Sequence, residues 1–254
     1  MNRIITTLLA LLLIQLLVAK KTFGEEVEVK DCFEKLNRIT FALNMGLDKV
    51  IFKPVSKGYR KLPSPIRTGT SNVLSNLSNL LTIPNNIIQG DLGSATNNSA
   101  RLLINTTLGI AGIFDPANSL GFEKREKEDF GQSLGVMGVG EGCYLVLPVL
   151  GPSTIRDTVG SLISMNGGDA WYNMTVRNNT QYFNESDYWA SKAMSGVDFR
   201  AKNLEAFDAM EKNSVDLYAT VRSLYLQDRR KKIKNSSNKT EAMDDGDWDS
   251  LENQ

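Results

Sequence analysis

The sequence contains no histidine. That removes the usual general base of serine and cysteine hydrolases and the commonest ligand of zinc and redox metals. It weighs first on GQSLG, Gly131 to Gly135, which matches the nucleophile-elbow pattern around Ser133. A lysine base is no substitute, because it would have to be buried and no lysine lies within an apolar block. Cysteine is almost as scarce: Cys32 and Cys143 stand alone and far apart, which argues against a metal centre, so no metal or cofactor is expected. GVGEG lacks the third glycine of a dinucleotide loop, and the carboxylates of EKREKED fit no EF-hand spacing. Charge has no surplus of either sign, 29 basic against 29 acidic residues, so nothing in the global electrostatics draws the chain toward nucleic acid.

Long apolar runs are missing too, with one exception. MNR followed by the sixteen residues IITTLLALLLIQLLVA is the pattern of a secretory signal, with cleavage expected near Gly24. An uncleaved span stopped by Lys20 and Lys21 is the alternative. No later run approaches the roughly 20 residues that cross a bilayer. No Pro/Gly linker divides the rest, so the expectation is a signal at 1–24, one domain at 25–232, and a charged, disordered tail at 233–254.

Charge is also unevenly placed. From Thr68 to Phe122 only Asp91, Arg101 and Asp115 are charged, and from Phe130 to Ile155 only Glu141, with EKREKED between the two blocks. In the first block Val73, Leu74, Leu77, Leu80 and Leu81 recur at helical spacing. The opposite face, Asn72, Ser75, Asn76, Ser78 and Asn79, is polar yet uncharged. Such a face suits lipid headgroups, a wet groove, a neighbouring helix, or a plain core helix in an Asn-rich chain. A lysine at Leu77 is expected to do far more harm than one at Asn76. A second helix is expected over Ala95 to Leu108, two helical pieces over 33–62 broken near Lys53 and Pro54, a loop over 165–185, and two helices from Tyr188 onward.

Five stretches in order are more specific than any one of them: NRITFALNMGLDKVIFKPVSKGYRKLP, SNLSNLLTIPNNIIQGD, RLLINTTLGIAGIFDPA, EDFGQSLGVMGVGEGCYLVLPVLGPSTIRD and YATVRSLYLQDRR. Together, over roughly residues 31 to 230, they resemble the MlaA/VacJ family of phospholipid-handling proteins of Gram-negative envelopes. The resemblance implies a mostly α protein, a compact ring-like bundle of amphipathic helices lying in the membrane interface, with a glycine-rich apolar loop segment and an amphipathic channel. It implies a non-enzymatic outer-membrane component of retrograde phospholipid transport. Phospholipids misplaced in the outer leaflet would pass to an MlaC-type periplasmic carrier, with trimeric porins as partners and the inner leaflet of the outer membrane as the seat. A soluble periplasmic lipid-binding or scaffolding protein is the alternative. By the resemblance and the charge pattern, Phe41, Asn44, Leu74, Leu77, Leu81, Leu103, Leu108, Ile110, Tyr144, Leu145 and Leu147 are candidates to line the channel or face the membrane. The stretch from Gly138 to Asp157 would be a glycine-hinged apolar segment near the channel rather than a strand. Arg156 and Asp157 would meet a headgroup, or else pair with each other or cap a helix.

The chain departs from the family pattern in places. It lacks the usual acylated N-terminal cysteine and reads DCFEKLNR where members read DP-F-E-G-F-NR, which leaves the means of attachment open. Cys32 and Cys143 both stand where the family has proline. Two such departures suggest a disulfide, the alternative being two unrelated small hydrophobes in proline-sized spaces.

Overall fold

Phe33, Leu36, Ile39 and Leu43 recur every three or four residues, and the computed structural model is helical there, in α1 (Glu34–Leu47). The structure describes residues 30–178 and 183–244. The expected signal, 1–24, lies outside them. The expected break at Lys53 and Pro54 does not occur. A proline lacks an N–H and crowds the carbonyl four residues back, and here a π turn, Asp48–Phe52, widens the helix just before it. The Lys53 N–H then bonds Asp48 O, and α2 (Lys53–Arg60) carries on.

Next come α3 (Ser64–Ile88) and α4 (Leu92–Thr107), an antiparallel pair and the most extensively packed among the described residues. The Asp91 carboxylate caps α4 by accepting from the Ser94 N–H at 2.9 Å. A single turn, α5 (Pro116–Ser119), precedes the charged segment, and Asp129 caps α6 (Phe130–Val136).

The glycines from Gly138 to Gly142 lie in a loop, but the apolar residues after them form an antiparallel hairpin, β1 (Tyr144–Leu147) and β2 (Gly151–Thr154). This corrects the expectation that the stretch holds no strand. Side chains alternate across β1, so Tyr144 and Val146 are buried while Leu145 and Leu147 are half-buried. A two-stranded hairpin is marginal alone, and helix α1 completes this one. The Asn37 amide donates to Tyr144 O and accepts from Val146 N, at 3.0 and 2.9 Å. Two turns on, Asn44 donates to Leu147 O and accepts from Val149 N, at 2.9 and 2.8 Å. A disulfide between Cys32 and Cys143, with Cα atoms 5.6 Å apart, ties the start of α1 to the start of β1.

Thr154 caps α7 (Ile155–Ile163), whose Gly160 lies against Gly131 of α6. A Cβ on Gly160 would come within 2.3 Å of the Gly131 nitrogen, so only glycine permits that crossing. The expected loop after 165 contains the short α8 (Ala170–Tyr172) between π turns Ser164–Gly168 and Asn173–Arg177. The C-terminal part holds three helices rather than two: α9 (Glu185–Lys202), α10 (Leu204–Asn213) and α11 (Leu217–Asp244). Helix α11 continues past Lys232 through part of the expected tail, and residues 245–254 lie outside the described ones.

Among the described residues the usual partition of side chains is inverted. Twenty-four polar or charged residues are buried against twelve apolar ones, while thirty large hydrophobics are exposed. Buried polar groups are tolerated only when hydrogen-bonded, and here they bond one another across helices. Asn76 donates to Thr106 at 2.9 Å, Asn98 to Asn86 at 2.9 Å, and Ser133 to Asn85 at 2.7 Å. Arg101 grips Asp115 through a 2.8 Å ion pair, and Asn105 donates to the same carboxylate. No described helix is long and apolar enough to cross a membrane.

Candidate functional site

Helix α3 carries two faces with different tasks. The Asn face packs on α4, so of the settings open from sequence it meets a neighbouring helix. Asn76 is buried there, against the expectation that its face tolerates charge. The other face, Ile66, Gly69, Val73, Leu74 and Leu77, walls a cavity of about 670 Å³. Ile113 and Phe114 line it too, with Ala190, Ser191 and Met194 of α9, and it lies broadly open to the surface, where Ile66, Ile113 and Phe114 are exposed.

None of the lining residues is charged. The few hydroxyls are spent locally: Thr70 donates to Ile66 O at 2.9 Å, and Ser191 donates to Tyr188 O at 2.7 Å. The volume falls within the range of small-molecule sites, and the walls offer an occupant contact but no charge.

The segment that brings Ile113 and Phe114 to the cavity has an unusual backbone. Ile110, Ala111 and Gly112 have φ of 51°, 55° and 90°, a left-handed run that disfavours a β-branched residue. Asn105 O of α4 accepts from the Gly112 N–H at 2.8 Å, and the Asn72 amide of α3 donates to Ile113 O at 3.1 Å, which hold the loop on both helices. A Cβ on Gly112 would meet Asn76 at 2.8 Å.

On the adjoining side of α3 lies a polar cleft of about 290 Å³, lined by Arg67, Thr68, Ser71, Lys124, Asp198 and Lys202 among others. Lys202 bonds Asp198 at 2.7 Å and also reaches Ser71. One helix thus separates an open apolar pocket from a basic cleft.

The sequence candidates are scattered by comparison. Leu74 and Leu77 line the cavity, while Leu81 on the same helix is half-buried away from it. Leu103, Leu108 and Ile110 are exposed on the outside of α4 and its following loop. Tyr144 is wholly buried in the hairpin core with Val146, Tyr218 and Leu226. Asn44 bonds the hairpin, and with Phe41 borders a second, smaller cavity. Ile66, Met194 and Phe114 carried no sequence signal that separated them from other apolar residues.

Arg156 and Asp157 are buried in an ion cluster beneath the hairpin rather than presented at either opening. They pair at 3.1 Å, and Arg229 of α11 joins Asp157 at 2.8 Å and Asp129 at 2.6 Å. The Tyr225 hydroxyl donates to Asp157 at 2.6 Å. Burial alone would raise the Asp129 carboxyl, but the Arg229 hydrogen bonds outweigh it and bring it down to about 2. Asp157 is likewise held low by Arg229 against its burial. Ser133 is also interior: besides its bond to Asn85, it accepts from Gln89 at 3.0 Å, and its GQSLG stretch lies on helix α6 rather than on a strand-to-helix turn.

Comparison with known proteins gives a consistent answer. The profile of the MlaA lipoprotein family matches residues 29–232. An uncharacterized Rickettsia prowazekii protein is 36% identical over 200 residues, 78% of this chain and 75% of its own. The Escherichia coli intermembrane phospholipid transport system lipoprotein MlaA is 31% identical over 208 residues, 78% of this chain and 76% of its own. A structure solved in work on the maintenance of bacterial outer membrane lipid asymmetry superposes with a TM-score of 0.67 at 30% identity, over 80% of this chain and 99% of that one.

Proposed function

This chain belongs to the MlaA lipoprotein family, and from that premise we propose that it removes phospholipids mislocalised in the outer leaflet of an outer membrane and passes them to a periplasmic carrier. The observation that carries the reading is the chargeless 670 Å³ cavity walled by α3 beside a basic cleft on the same helix. Acyl chains suit the first and a phosphate suits Arg67, Lys124 and Lys202 at the second. The carrier is of the MlaC type, trimeric porins hold the protein in place, and the seat is the inner leaflet. In this reading residues 1–24 are a signal for export, and residues 25–232 act as one unit.

The reading assigns no covalent chemistry. Ser133 is buried in hydrogen bonds with Asn85 and Gln89, and the chain has no histidine to activate it. Attachment by a lipid thioether is excluded from the reading for both cysteines, because each is in the disulfide. The exposed apolar side chains supply membrane contact in its place.

The test is expression in a Gram-negative host lacking its own family member. Surface phospholipid should fall and resistance to detergent with chelator should return. An unchanged outer leaflet, with the protein present in the outer membrane at normal level, would refute the proposal.

A further inference from the structure

The cleft beside α3 carries a surplus of one sign of charge. Arg67, Lys124 and Lys202 line it against a single carboxylate, Asp198. That carboxylate is buried and both its oxygens are engaged: Tyr59 donates to one at 3.2 Å and Lys202 to the other at 2.7 Å. Lys124 is exposed and has no hydrogen bond or ion pair among the described residues. Asp115, whose charge acts on Lys124 across space, is already gripped by Arg101 at 2.8 Å. Half-buried Arg67 gives only its Nε to the Leu62 carbonyl, at 3.1 Å, which leaves both terminal nitrogens open. Lys127 keeps accessible surface, yet the surrounding protein, and then the charges of Lys124 and Lys202, push its ammonium below the usual lysine range.

Such a cleft discriminates between headgroups that share a phosphate. Free donors on Arg67 and Lys124 suit a phosphate oxygen in charge-assisted hydrogen bonds. A headgroup that adds an ammonium finds no unengaged carboxylate among the lining residues, and it brings a positive charge up to Lys124 and Lys202. One that adds hydroxyls meets Ser64 and Thr68, both exposed on the cleft wall. The cleft and the apolar pocket both reach the first turn of α3, where Ser64 and Arg67 line the one while Pro65 and Ile66 line the other. A single amphiphile can therefore lay its phosphate in the first and its chains in the second.

We propose that this cleft makes the protein selective for phospholipids of net negative charge, taking phosphatidylglycerol in preference to phosphatidylethanolamine, with the phosphate at Arg67 and Lys124. The inference rests on the reading of the chain as a phospholipid transporter and adds to it the headgroup that is taken.

The experiment binds chain-labelled phosphatidylglycerol to the full chain in a neutral detergent. The label is then displaced with unlabelled phosphatidylglycerol, with phosphatidylethanolamine of the same acyl chains, or with glycerol phosphate. Phosphatidylglycerol should compete at least about tenfold more tightly than phosphatidylethanolamine, with the advantage shrinking in high salt. Glycerol phosphate, which lacks chains, should compete about a hundredfold more weakly than the lipid. Lys124→Glu gives an ammonium its missing partner and should bring the two lipids within about twofold of each other. Arg125→Glu makes the same change in net charge at an exposed neighbour that does not line the cleft, and should keep the preference. Equal displacement by the two lipids overturns the selectivity and leaves the phospholipid reading standing, whereas no saturable binding of either lipid overturns both. Glycerol phosphate competing as well as the lipid would make the cleft a site for soluble phosphate and overturn the proposal. So would a preference that survives Lys124→Glu, or one that Arg125→Glu abolishes as fully.

Discussion

At the scale of single residues, the family-like stretches supply polar anchors. IRD supplies Arg156 and Asp157, EDFGQS supplies Asp129, and LYLQDRR supplies Tyr225 and Arg229, and all five meet in one cluster, with Arg156, Asp157 and Arg229 buried and Asp129 and Tyr225 half-exposed at its edge. Arg229 is the member whose removal leaves two carboxylates without their main partner. Arg229→Met should therefore destabilise the fold by about 3–5 kcal/mol at neutral pH. The pH dependence has a definite sign. Asp129 and Asp157 titrate lower in the folded chain than in the unfolded one. Their pairing thus contributes stability that is present above about pH 4 and lost as pH falls toward 2. Thermal melts of both proteins from pH 7 to pH 3 should converge on acidification, because carboxylates without Arg229 take up protons earlier. Parallel curves would mean the cluster is not what Arg229 stabilises. Asn37 is a smaller case: Asn37→Ala removes two bonds to β1 and should cost about 1–3 kcal/mol, readable as a lowered melting temperature.

At the scale of elements, periodicity located helices well but not the direction each face points. The spacing of Val73, Leu74 and Leu77 was visible in the sequence, and it does make one face of α3. What the spacing did not carry is that the opposite Asn face is interior, since amphipathicity reports a difference between two faces and not which one meets solvent. Asn37 was unreadable for the same reason: it sits on an apolar-looking helix and is 2% exposed. The hairpin was missed because four-residue strands are too short for a period to register and because its outer edge is completed by side chains of α1. The corrected orientation separates two variants. Asn76→Lys should prevent folding, since the side chain is enclosed by α4 and Gly112, and it is read as loss of protein. Leu77→Lys should fold at near-normal level yet abolish lipid removal, because it puts a charge in a chamber that has none, at about 2–4 kcal/mol in an apolar setting. Full activity of the Leu77→Lys variant would remove the cavity from the mechanism. The disulfide acts between elements. Closing a separation of 111 residues should contribute about 4–5 kcal/mol in the chain-entropy account. Melts of the Cys32→Ser/Cys143→Ser double variant, or of reduced protein, should fall accordingly.

At the scale of the whole molecule, the inverted partition of side chains is a statement about solvent. A fold in water gains about 25 cal/mol for each Å² of apolar surface it buries, yet here Leu36, Ile39 and Leu43 of α1 stand open while Asn37 between them is enclosed. The same is true of Leu103 and Leu108 around Asn105 on α4. Such a surface is stable only against something as apolar as itself, and acyl chains supply that without competing for the interior hydrogen bonds. Two consequences distinguish a lipid-seated protein from a soluble lipid binder with the same cavity. High-salt washing should leave it in the outer-membrane fraction, because screening weakens charge contacts but not apolar ones. And the triple variant Leu36→Glu/Ile39→Glu/Leu43→Glu should keep its melting temperature in detergent within a few degrees, since none of the three side chains packs inside, yet lose membrane retention, each charge costing about 2–4 kcal/mol among acyl chains. A triple variant that stays with the membrane would show that α1 faces something other than lipid.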